Sequence, residues 1–132
     1  MTPPDMPASY LRKSRRALQT AQSLIELGDT EGACNRAYYA MFDAAHAALW
    51  AAGAQEPGAF IKTHSGLIAL FGQELVKTGR IDAEQGRALG RVQKVRLLAD
   101  YTADPPPEDD ARQAVAQAEA FVTAIAAAFF MR

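Results

Sequence analysis

Glycine and proline cut this sequence into blocks, and every block repeats its apolar residues with a helical period. Gly28, Gly53 and Gly79 each stand at the end of a periodic stretch, and Pro105-Pro106-Pro107 breaks the last connection. Three consecutive prolines remove backbone donors and clash with the preceding turn, so no helix passes through them. No run alternates apolar and polar residues with β-branched enrichment, while alanine is abundant and valine and isoleucine are sparse. That patterning excludes a sheet-based core and points to an all-α fold.

The periodicity predicts five helices. The first covers residues 8–27, with Tyr10, Leu11, Ser14, Ala17, Leu18, Ala21, Leu24 and Ile25 on one stripe. Gly28 suits a helix C-terminus, and Asp29-Thr30 supplies the next N-cap. The second covers 31–52. One of its faces is small (Ala33, Ala37, Ala40, Ala44) and another carries Tyr39, Phe42, His46 and Trp50. Residues 54–62 read as a loop. The third helix covers 63–77, and the fourth runs from 82 to 100 or 101 with Gln85 in capping-box spacing from Asp82. The fifth starts at 108, where Asp109 and Asp110 suit the positive end of the helix dipole. Its Ala111, Val115, Ala118, Val122, Ile125 and Phe129 recur in fours and threes. Short connections favour an antiparallel, up-and-down helical bundle of about five helices. One domain over 1–132 is expected, with an unstructured start at 1–7.

Formal net charge is −1. Strong non-specific nucleic-acid binding needs a broad basic surface, so that class is disfavoured, although a local basic cleft is not. The single cysteine, Cys34, rules out an intrachain disulfide and fits a small buried residue in a reducing, cytoplasmic setting. The longest apolar stretch, around residues 120–131, contains Thr123 and is too short for a bilayer. No membrane association is expected. His46 and His64 stand apart from each other and from Cys34, so no metal motif and no cofactor fingerprint is present. His46, inside an aromatic stripe, reads as a packing residue. His64 is next to a predicted N-cap and has either a capping or a binding role.

The polar run Arg96-Leu97-Leu98-Ala99-Asp100-Tyr101 is the candidate for chemistry. Arg96 and Asp100 are four apart and share a helix face bordering the apolar line Ala88, Val92, Val95 and Ala99. Such groups are costly to bury unless paired. Arg36, early in the alanine-rich second helix, is a candidate partner for Asp100 or a second cation for an anionic ligand. Tyr38 and Tyr39 face different directions, so one packs and the other reaches solvent or a neighbouring subunit.

Taken in order, Asn35-Arg36-Ala37-Tyr38-Tyr39-Ala40-Met41-Phe42, Lys62-Thr63-His64-Ser65-Gly66-Leu67, Phe71-Gly72, Lys77-Thr78-Gly79 and Arg96-Leu97-Leu98-Ala99-Asp100-Tyr101 resemble the HEPN family, in its small prokaryotic branch. The likeness runs from about Tyr10 to Phe129. The resemblance implies an all-α dimer and, in many members, a metal-independent endoribonuclease. Such members are often the toxin of a toxin–antitoxin pair whose antitoxin is a minimal nucleotidyltransferase. The family's ribonuclease signature is an arginine followed four to six residues later by histidine, with two copies meeting at a dimer cleft. Arg96 matches the arginine. Tyr101, Thr102 and Ala103 occupy the histidine window, so this chain carries an Arg-x-x-x-Asp-Tyr variant.

Cleavage by a 2′-hydroxyl needs a base near neutral pH, a task that histidine suits and tyrosine does not. One reading makes Arg96 the phosphate ligand, with Asp100 or Tyr101 in place of the histidine. A second keeps the cleft, with Arg36 and Arg96, for RNA or nucleotide binding, and makes Tyr101 an acceptor for adenylate from the nucleotidyltransferase. A third makes Arg96, Asp100, Tyr101 and Arg36 a structural network in a non-catalytic dimerisation module. The aromatic stripe of the second helix and the heptads of the fifth predict a homodimer surface.

Overall fold

The structure, a computed structural model, describes residues 5–54 and 63–131. Most of the expected loop at 54–62 therefore lies outside the described residues. The elements are α1 (Met6–Glu26), α2 (Thr30–Ala51), α3 (His64–Phe71), α4 (Ala83–Tyr101) and α5 (Glu108–Phe129). All are helical, as the periodicity requires.

Local chemistry sets the ends. Asp5 caps α1 by accepting from the Ala8 amide, so this helix starts two residues earlier than the apolar stripe indicates. Asp29 caps α2 through Gly32, and Thr63 caps α3 through Gly66. Gly28 takes φ +82° between α1 and α2, a left-handed conformation that a side chain would strain. The third helix departs from expectation. Its α-helical part stops at Phe71, and Gly72–Val76 continues as one π-helical turn.

α2 is the central element and packs against α1, α3, α4 and α5. Its small face brings α1 close, since the buried Ser14 hydroxyl donates to the Ala40 carbonyl at 2.7 Å. Tyr10 stacks on His46 further along, so the two helices run antiparallel. α5 turns Ala111, Ala114, Val115, Ala118, Phe121, Val122, Ile125 and Ala126 into the core. The heptad stripe of α5 is thereby used within the domain and supplies no dimer surface. Cys34 is fully buried; burial first, and Asp110 second, push its thiol up to about 11. It is an inert packing residue. No described helix is long and apolar enough to cross a membrane.

Candidate functional site around Arg96

α4 presents Arg96 to the flank of α2. The guanidinium Nη1 donates to the Asp100 carboxylate at 3.0 Å, the i,i+4 pairing expected from the sequence. The Arg96 side chain is 14% exposed and that of Asp100 is 43% exposed, so the pair straddles the protein surface. Its guanidinium carbon sits 4.9 Å from the Tyr38 ring centroid and 5.8 Å from that of Tyr39. Two electron-rich faces and one carboxylate thus hold the cation in a fixed position. Among the described residues the buried Nε of Arg96 meets no acceptor.

Arg36 reaches the same ring system from α2. It lies 5.1 Å from Tyr39 and donates to the Asn35 side-chain oxygen at 3.1 and 3.2 Å. It makes no ion pair with Asp100, so that expected bridge does not form. Arg36 and Asp100 instead line one groove of about 410 Å³, together with Asn35 and Asp29. Tyr101 separates from the group. It is 84% exposed and joins neither the ion pair nor the aromatic cluster. One residue beyond Asp100 on a helix is a rotation of about 100°, enough to carry it off the shared face.

The two tyrosines divide as expected, Tyr38 fully buried and Tyr39 half-buried. The cluster also contains a residue whose role the sequence left open. His64, the first residue of α3, meets the Tyr38 hydroxyl through Nδ1 at 2.8 Å. Its ring packs 4.6 Å from Phe42, 5.4 Å from Tyr38 and 5.8 Å from Tyr39. Arg96 and His64 thus flank the same phenol from different helices. Burial, and then the Arg96 charge, hold the imidazole below its ordinary pKa. Burial pushes the Tyr38 phenol up to about 12 against the lowering pull of Arg96. Thr63-His64 lies in a segment that carries the family resemblance, which was the available signal. Its spatial partner is 26 residues away, which no helical spacing reveals. Among the described residues no cluster of histidine, cysteine and carboxylate side chains could hold a metal ion.

Asp43 is a second titratable group that the sequence did not single out. It is 5% exposed on α2, and burial pushes its carboxyl up to about 6 against Lys13 and Arg36, which lower it. An unfolded aspartate ionises near pH 4. The native state therefore binds the extra proton between roughly pH 4 and 6, and stability falls as pH rises through that window. Asp43→Asn is expected to remove this fall and to raise the unfolding free energy by about 1–3 kcal/mol at pH 7. Urea melts at pH 7 and below about pH 4 read the difference, with no gain expected at the acid end.

Known proteins of similar sequence span nearly the same residues. The chain is 36% identical over 108 residues to a Methanocaldococcus jannaschii protein named "Putative toxin", covering 82% of this chain and 77% of that protein. It is 33% identical over 124 residues to a Gloeobacter violaceus protein named UPF0332 protein, covering 92% and 93%. A UPF0332 protein of Thermotoga maritima is 35% identical over 117 residues, covering 88% and 85%. The family model of the HEPN domain matches residues 8–127, a span that contains every residue of the cluster. With the helical fold and the sequence match in agreement, the chain belongs to the HEPN domain family.

Proposed function

We propose that this chain is the toxin-type half of a two-protein pair, a cytoplasmic homodimer that engages RNA through Arg96 and cleaves it without a metal ion. The partner in this reading is a minimal nucleotidyltransferase that serves as antitoxin. The observation that carries the proposal is the setting of Arg96: a charged fork held against two tyrosine rings, partly buried, with one nitrogen spent on Asp100 and Nε unpaired. Guanidinium matches phosphate by charge and by its planar donors. Holding it in place before RNA arrives reduces the ordering cost of binding. Arg36, over the half-buried Tyr39, offers a second cation on the same side of α2. The jannaschii relative's toxin name agrees with this role.

Dimerisation has a physical motive in the C-terminal turn of α4. Leu98 and Tyr101 are 65% and 84% exposed beside the Arg96–Asp100 pair. Large apolar side chains exposed next to a charged site mark a surface that an assembly covers. In a two-fold arrangement about this turn the two Arg96 sites approach each other.

The test uses the wild-type chain. Light scattering at micromolar concentration is expected to give twice the chain mass, and total RNA is expected to be cut in the presence of a chelator. A monomer that neither binds nor cuts RNA removes the proposal.

A second reading rests on the exposure of Tyr101. A phenol on the surface is open to a modifying enzyme, and adenylate there would add phosphate charge and bulk to the exposed C-terminal turn of α4. Co-expression with a nucleotidyltransferase encoded alongside is expected to add one adenylate to the intact mass, and Tyr101→Phe to abolish the increment. An unchanged mass removes the modification.

A further inference from the structure

We propose that His64, anchored through Nδ1 on the buried Tyr38 hydroxyl, is the group that accepts the proton when RNA bound at Arg96 is cleaved. The inference rests on the ribonuclease reading above and names the base that reading lacks. It starts from convergence. A fully buried phenol holds His64 by a 2.8 Å hydrogen bond on one side and carries Arg96 at 4.9 Å from its ring. Phe42 and Tyr39 close around the imidazole and restrict its rotation. The bond to Tyr38 engages Nδ1 and leaves Nε2 outside it. One nitrogen is therefore fixed by the phenol and the proton transfer is assigned to the other, the division of roles a proton-transfer histidine needs.

The role requires one of the two tautomers that the 2.8 Å contact permits. With Nδ1–H donating to the Tyr38 oxygen, Nε2 carries a lone pair. Among the described residues the titratable and charged groups facing the ring are Tyr38 and Tyr39 on α2 and Arg96 on α4, and the Tyr38 phenol, pushed up to about 12, supplies no negative charge to favour the imidazolium. Burial first, and Arg96 second, favour the neutral ring, the form a base needs.

In the step itself the RNA 2′-oxygen forms a bond to phosphorus and the bond from phosphorus to the 5′-oxygen breaks. The 2′-hydroxyl proton goes to Nε2 and is then lost to water, and the departing 5′-oxygen takes a proton from water. The products are a 2′,3′-cyclic phosphate and a 5′-hydroxyl. Arg96 offsets the charge on the phosphoryl oxygens. Tyr38 acts through His64 and is a positioning residue.

Single-turnover cleavage of a single-stranded RNA oligonucleotide tests this on wild type, Arg96→Ala, His64→Asn, His64→Ala and Tyr38→Phe. The asparagine can still bond the Tyr38 hydroxyl but cannot carry the proton. His64→Asn is expected to lose about 100-fold or more in rate while keeping the wild-type circular dichroism spectrum at the assay temperature, and added imidazole to restore part of the rate to His64→Ala. Tyr38→Phe is expected to cost about 3- to 10-fold and to move the acid limb of the pH–rate profile to lower pH. Nitrogen-15 NMR of the wild-type chain, which needs no variant to fold, is expected to find the Nδ1–H tautomer. An Nε2–H tautomer overturns the assignment. So does wild-type cleavage by His64→Asn with none by Arg96→Ala, which leaves the RNA reading standing. A wild-type chain that binds RNA and never cuts it overturns both.

Discussion

Phe121→Ala is expected to lower the unfolding free energy by about 3–5 kcal/mol, enough to leave the domain near the edge of stability. Phe121 is fully buried on α5 and its ring lies 5.4 Å from that of Phe71, the last residue of α3. The pair joins the fifth helix to the third. Truncation removes the transfer free energy of the ring and an aromatic contact of about 0.5–1.5 kcal/mol, and it leaves a cavity. Collapse around that cavity is hindered, because much of the same core is alanine: Ala45, Ala48, Ala114, Ala118 and others have no side-chain length with which to fill it. Urea denaturation followed by circular dichroism measures the loss. A change under about 1 kcal/mol would mean that this ring does not seat as described.

The same alanine-rich core explains what the sequence disclosed. Helix periods, caps and turns are local, so Gly28, Asp29, Thr63 and the three prolines mark the element boundaries within a residue or two. The Arg96–Asp100 pair is also local, four residues on one helix, and it forms as the spacing predicts. What the sequence hides is set by approach between helices. The Ser14–Ala40 bond and the Tyr38–His64 bond each span 26 residues, and nothing in either segment names the other. The π-helical turn at Gly72–Val76 has no compositional marker either. The fifth helix shows the limit from the opposite side. Its heptad stripe was legible, but a stripe states only that a face is covered, and here the cover is the chain's own core. Asp43 escaped notice because a single carboxylate in an alanine-rich helix has no pattern; only its burial sets it apart.

The second large effect separates chemistry from architecture at Arg96. Arg96→Ala is expected to reduce RNA cleavage by about 100- to 1000-fold, the scale on which a pre-positioned charge stabiliser acts. The structural cost is much smaller. The ion pair with the half-exposed Asp100 contributes about 0.5 kcal/mol or less, and the contact with the tyrosine faces about 1–2 kcal/mol. A purely structural network reverses that ranking. It would give a fall in stability with RNA binding unaltered, and Asp100→Asn would copy it. Under the phosphate-binding role, Asp100→Asn leaves the guanidinium against Tyr38 and keeps most of the activity. Arg96→Lys retains the charge but loses the planar fork, so partial RNA binding with poor cleavage is expected. Salt dependence supplies an independent reading. Removing one phosphate contact to single-stranded RNA is expected to reduce the slope of log affinity against log salt by about 0.7. An unchanged slope in Arg96→Ala would mean that this guanidinium does not meet the backbone, and the tyrosine-held arginine would then be a packing device.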